Sequence, residues 1–93
     1  MKHASPEALA ELSALLEQLR ALPGLIERKP GIFYRGSTAF LHFHEDPAGL
    51  FADAKVNGAG FARWPVDTAA QQQSLLRAVR LSMTRKASGT PQK

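Results

Sequence analysis

Residues 32–56 carry the pattern that leaves the fewest folds open. The runs I-F-Y-R at 32–35 and T-A-F-L-H-F-H at 38–44 are rich in aromatic and apolar residues and are separated only by Gly36-Ser37. Glycine first in a two-residue link is the chemistry of a type II′ turn, whose twist suits antiparallel strands. Glu45-Asp46-Pro47-Ala48-Gly49 then reads as a loop, and L-F-A-D-A-K-V at 50–56 alternates again before Asn57-Gly58. Three strands joined by short links make an antiparallel meander. Ahead of them, Pro30-Gly31 reads as a type II turn, and 25–29 is ambiguous, with a short edge strand as one reading. F-A-R-W at 61–64 is a fourth strand, at an edge because Pro65 has no N–H to give a ladder.

Parity sets the register. A two-residue turn at Gly36-Ser37 pairs Arg35 with Thr38, Tyr34 with Ala39, Phe33 with Phe40 and Ile32 with Leu41. Ile32, Tyr34, Ala39, Leu41 and Phe43 then share one face. Leu50, Ala52, Ala54 and Val56 join that face if Phe43 pairs with Ala52 and Leu41 with Ala54. The other face carries Phe33, Arg35, Thr38, Phe40, His42, His44, Phe51, Asp53 and Lys55.

Helices flank the meander. Ser5-Pro6-Glu7 is a helix start, with a hydroxyl at the cap, proline at the first helical position and an acid in the first turn. Leu9, Leu12, Leu15, Leu16, Leu19 and Leu22 fall within an arc of roughly 140° at about 100° per residue, until Pro23-Gly24 ends the pattern. Asp67 is read as the cap of a second helix, on which Leu75, Leu76, Val79 and Met83 cluster while Arg77 and Arg80 face away. Both helices cover the alanine-bearing face. The expected fold is therefore α+β, a two-layer α-β-β-β-(β)-α sandwich. One domain spans 1–93, ordered from about 5 to 86, with 1–4 and the A-S-G-T-P-Q-K tail from Ala87 disordered.

Composition removes several functions. There is no cysteine, so disulfides, thiol catalysis and thiolate zinc sites are excluded. No apolar run approaches the roughly 18–20 residues of a membrane span, and the start is not a signal peptide, so a soluble cytoplasmic protein with no membrane partner is expected. The net charge of +4 comes entirely from 67–93, where Arg77, Arg80, Arg85, Lys86 and Lys93 face Asp67 alone. Cations near a helix C-terminus are favoured by the macrodipole, so this excess needs no partner.

L-P-G at 22–24, the strand A-F-L-H-F-H at 39–44 followed closely by acid and glycine, and the closing helix resemble a small uncharacterised bacterial family nominally labelled "luciferase domain". The likeness covers about residues 20–66 and lacks that family's middle insertion. It implies a bacterial domain of unknown function, not light emission, and no functional residue is carried over from it.

The open face defines the functional candidates. Three phenylalanines beside charges suit a protein-interaction surface, most simply a homodimer burying two such faces, and this reading ranks first. Nucleic acid is the second choice, with the phenylalanines as stacking platforms and Arg35, Lys55 and Arg63 as phosphate contacts. His42-Phe43-His44 with Asp53 opposite, and Glu45 or Asp46 nearby, is an alternative metal site for Zn²⁺ or Fe²⁺; no cofactor is otherwise called for. A His42–Asp53 acid–base dyad would be the core of an enzyme, but no nucleophile or phosphate loop accompanies it, and the balance leans against catalysis. In that dyad Asp53 should raise the His42 pKa.

Overall fold

The structure, a computed structural model, describes residues 2–57 and 60–88. A short strand β1 (Lys2–His3) leads into α1 (Pro6–Glu11) and α2 (Ser13–Arg20). Then come strands β2 (Ile26–Lys29), β3 (Ile32–Arg35), β4 (Thr38–Asp46), β5 (Gly49–Ala54) and β6 (Ala62–Pro65), and finally helix α3 (Ala69–Ser88). Strands β2 to β6 form an antiparallel meander in chain order. The α+β sandwich read from the sequence is the observed architecture, with β2 and β6 at its two edges.

Local chemistry explains the element ends. Ser5 Oγ accepts from the Ala8 N–H and Pro6 opens α1, as the sequence implied. The leucine stripe is interrupted at Leu12, whose φ of −101° and ψ of 13° separate α1 from α2. Its N–H turns to Leu9 O at 3.0 Å, and the helix resumes with Leu16 N–H donating to Leu12 O. The cap of α3 is Thr68, not Asp67. Thr68 Oγ1 accepts from the Gln71 N–H while Gln71 Oε1 accepts from the Thr68 N–H, a reciprocal capping box. Asp67 instead accepts from the Leu50 N–H at 3.0 Å, tying the helix approach to β5.

The β4–β5 ladder has the expected register, with Leu41 opposite Ala54, His42 opposite Asp53, Phe43 opposite Ala52 and His44 opposite Phe51. It runs further than expected. Glu45 and Asp46 belong to β4, and the link shrinks to Pro47-Ala48, closed by the Ala48 N–H donating to Asp46 Oδ1.

The β3–β4 ladder departs from parity. Arg35–Thr38 and Tyr34–Ala39 pair as expected, but Phe33 meets Leu41 and Ile32 meets His42. Phe40 is the extra residue of a β-bulge. A bulge places two neighbouring side chains on the same side, so Phe40 and Leu41 both enter the core. Phe33 follows Leu41 inward and is fully buried, whereas Ile32, Tyr34 and Ala39 turn to the open side and are only half-buried. Alternation from Phe33 puts Arg35 on the helix side, with its guanidinium 5.5 Å from the centre of the Phe40 ring.

The core lies between sheet and helices. Leu12, Leu15, Leu16 and Leu19 meet Leu75, Leu76 and Val79 over Phe33, Phe40, Leu41, Phe43, Ala52 and Ala54. At roughly 1.5–3 kcal/mol for each large apolar side chain, this interface is the main stabilising term. At the start of the chain Lys2 and His3 form strand β1, an element the sequence reading did not place there. Strand β5 occupies one edge of β4 along Leu41–Asp46, and β3 occupies the other along Thr38–His42. Strand β1 therefore continues the β3 lane, pairing with His44 and Glu45. Helix α3 runs through Ser88; residues 89–93 of the tail, and Gly58 of the last turn, lie outside the described residues. Among the described residues, no helix is long and apolar enough to cross a membrane.

Candidate metal centre

Strand alternation on β4 directs His42 and His44 to the face that the helices do not cover. Strand β1 brings a third imidazole. His3 stands directly opposite His44 in the ladder, held there by the Ala4 N–H donating to Phe43 O at 3.1 Å and the Ser5 N–H donating to Glu45 Oε1. The ring centres lie 4.5 Å apart for His42–His44, 5.4 Å for His3–His44 and 5.8 Å for His3–His42. One ligand-capable nitrogen from each of the three lies within 4.8 Å of the others. Tetrahedral zinc with Zn–N near 2.0–2.1 Å needs its ligand nitrogens about 3.3 Å apart, so side-chain torsions must close at most roughly 1.5 Å.

The cluster has unmet polar demand. His42 Nδ1 and both ring nitrogens of His44 are buried without a hydrogen-bond partner. Each such atom costs about 1–3 kcal/mol, and buried exceptions of this kind call for an explanation. His3 is exposed and so forms the solvent side of the group. Phe61, 45% exposed, sets its ring edgewise 4.9 Å from His42, and Lys55 Nζ sits 4.9 Å from the Phe61 ring centre.

Asp53 has different partners from those the sequence suggested. Its register neighbour on β6 is Arg63, which forks onto the carboxylate at 3.0 Å (Nε to Oδ1) and 3.3 Å (Nη2 to Oδ2). Asp53 Oδ2 also lies 3.0 Å from Nε2 of His44, its diagonal neighbour, and not against His42. That approach is off the N–H direction, so it is an electrostatic contact without a formed hydrogen bond, which reconciles the short distance with the unsatisfied Nε2.

The electrostatics follow from this layout. Burial, reinforced by the neighbouring His44, lowers the His42 pKa below its usual value, and the opposing pull of Asp53 is smaller. The raised pKa expected from a His42–Asp53 dyad is thus overturned. A histidine whose folded pKa is lowered takes up fewer protons folded than unfolded, so it costs stability as pH falls below about 6.5. For Asp53, burial opposes ionisation, but the Arg63 hydrogen bonds and the charges of Arg63, His44 and His42 outweigh it and hold the carboxyl below its ordinary range.

Of the open-face candidates, the structure brings His42, His44, Phe51, Asp53 and Lys55 together and removes Phe33, Arg35 and Phe40 to the helix side. His3 was missed, because a two-residue strand is too short to leave any periodicity. Comparison with known proteins supplies no relative: no family model matches the chain, and neither a curated protein nor a solved structure matches it.

Proposed function

We propose that this protein binds a divalent transition-metal ion through His3, His42 and His44. The observation that carries the reading is the convergence of three imidazoles from two strands, with ligand-capable nitrogens within 4.8 Å and buried ring nitrogens lacking partners. Neutral imidazoles suit Zn²⁺, Cu²⁺, Ni²⁺ and Fe²⁺, whereas Mg²⁺ and Ca²⁺ demand oxygen ligands. Three nitrogens leave at least one position of a tetrahedral ion toward solvent, the arrangement of an open site and not of a closed structural one. The lowered His42 pKa keeps that ring neutral, hence ligand-competent, at neutral pH.

Calorimetric titration of the metal-free protein with Zn²⁺ tests the reading. His3→Ala is the discriminating variant, because it leaves the His42–His44 pair intact. It should weaken binding by at least the about 10–100-fold that loss of even an outer-shell partner costs. Equal affinity of His3→Ala and the parent would reduce the site to an ordinary histidine pair.

A protein-contact reading retains one observation, the exposed Phe61 beside the cluster. A homodimer through this face would survive high salt and be lost in Phe61→Ser, measured by solution mass. The nucleic-acid reading loses most of its support. Two of its three stacking phenylalanines are in the core, and Arg63 is committed to Asp53.

A further inference from the structure

We infer that His44 ligates the ion through Nδ1, and that Asp53, anchored by Arg63, is a positioning residue that holds the opposite ring nitrogen. The inference rests on the metal reading above and assigns the roles within that site. His44 Nε2 lies 3.0 Å from Asp53 Oδ2, and although no hydrogen bond is formed, an unprotonated nitrogen there would set negative charge against the carboxylate, so the proton of the neutral ring belongs on Nε2. The ring lone pair is then on Nδ1, which is buried and has no hydrogen-bond partner. A cation among the three rings satisfies that atom where no protein donor does.

Asp53 itself is poorly placed to become a ligand. Both of its oxygens are engaged by the Arg63 fork, and turning to the ion would break two charge-assisted hydrogen bonds. The set His42, His44 and Asp53 expected from the sequence is thereby rearranged: His3 takes the third ligand position and Asp53 moves behind His44. A carboxylate behind a ligating imidazole fixes its tautomer and ring orientation. Across the sheet this makes a relay of Arg63 on β6, Asp53 on β5 and His44 on β4.

The test uses the full chain with ¹⁵N-labelled histidine and ¹¹³Cd²⁺ as the probe metal, together with Zn²⁺ titrations of Asp53→Asn and Arg63→Gln. Cadmium–nitrogen coupling should appear at His44 Nδ1, and Asp53→Asn should lower Zn²⁺ affinity by about 10–100-fold. Arg63→Gln loosens the carboxylate without touching it and should show a loss in the same direction, so the affinity readout survives if Asp53→Asn fails to fold. A merely structural Asp53 would shift the melting temperature of the metal-free protein and leave affinity unchanged. Coupling at His44 Nε2, or full affinity in folded Asp53→Asn, overturns the assignment and leaves the metal site standing. Failure of the parent protein to take up either metal overturns the site itself.

Discussion

Replacing Phe33 by alanine puts a number on the bulge at Phe40. In a straight register Phe33 would project from the open face, and its truncation would change stability by no more than about 0.5 kcal/mol. Opposite Leu41 its exposure is 0%. A phenylalanine buries about 150–250 Å², worth about 4–6 kcal/mol at 25 cal/mol per Å², of which alanine keeps a small part. Core Phe→Ala changes accordingly cost about 3–5 kcal/mol. A domain of this size has about 5–14 kcal/mol in total, and each kcal/mol moves the midpoint about 4–8 °C, so the melt should fall by about 12–40 °C. Urea denaturation followed by the fluorescence of the single tryptophan, Trp64, measures it. Ile32→Ala is the internal control, since Ile32 lies opposite His42 and is only half-buried. Phe33→Leu, at about 1–3 kcal/mol, keeps the comparison open if the alanine variant does not fold. An Ile32→Ala cost equal to or above that of the Phe33 variants would refute the bulge and return the ladder to simple parity.

Leu19→Asp should abolish cooperative melting, because it places an unpaired charge at a fully buried point of the leucine stripe; a native-like melt would contradict the helix-on-sheet packing. Thr68→Ala removes half of the capping box and should cost about 1 kcal/mol, whereas Asp67→Asn should leave the helix content seen by circular dichroism unchanged. The Arg20 hydrogen bond holds the Glu27 carboxyl below its ordinary 4.5. Its contribution is therefore present above that pH and lost as pH falls through the lower folded value. Arg20 is largely solvated, so the loss is at most about 1 kcal/mol; an acid limb of the stability curve identical in Glu27→Gln would dismiss the pair.

Legibility in the sequence tracked how regular each segment is. In β4 and β5, large residues at 41 and 43 face small ones at 52 and 54, and a one-residue slip would have exposed the whole set, so the register was fully specified. In β3 three large side chains stand in a row, and parity cannot say which belongs inside. Phe40-Leu41, two large apolar neighbours inside an alternating run, was the available trace of a bulge. Thr68-x-x-Gln71 was equally present as a capping box, but the adjacent Asp67 has the same cap chemistry and only its bond to the Leu50 N–H distinguishes them. Two of the three members of the candidate site, His42-x-His44, were visible as a pair on one strand face. Its third member depends on a contact between the start of the chain and the C-terminal end of β4, which no local pattern encodes.

That contact also sets an order of events. Each hairpin of the meander closes over a few residues, but Ser5 reaches Glu45 across a separation of 40. Loop-closure entropy grows with the logarithm of that length, and β1 returns only two ladder pairs for it. The chain start should therefore dock after the meander has formed and detach first, at a free energy below that of global unfolding. Amide exchange at Ala4 and Ser5 should accordingly be faster than at Phe43, and Zn²⁺ should slow it, because an ion held by His3 and His44 must be released before the strand can lift. The histidine cluster would then be a clasp: a catch that opens while the rest of the molecule stays folded.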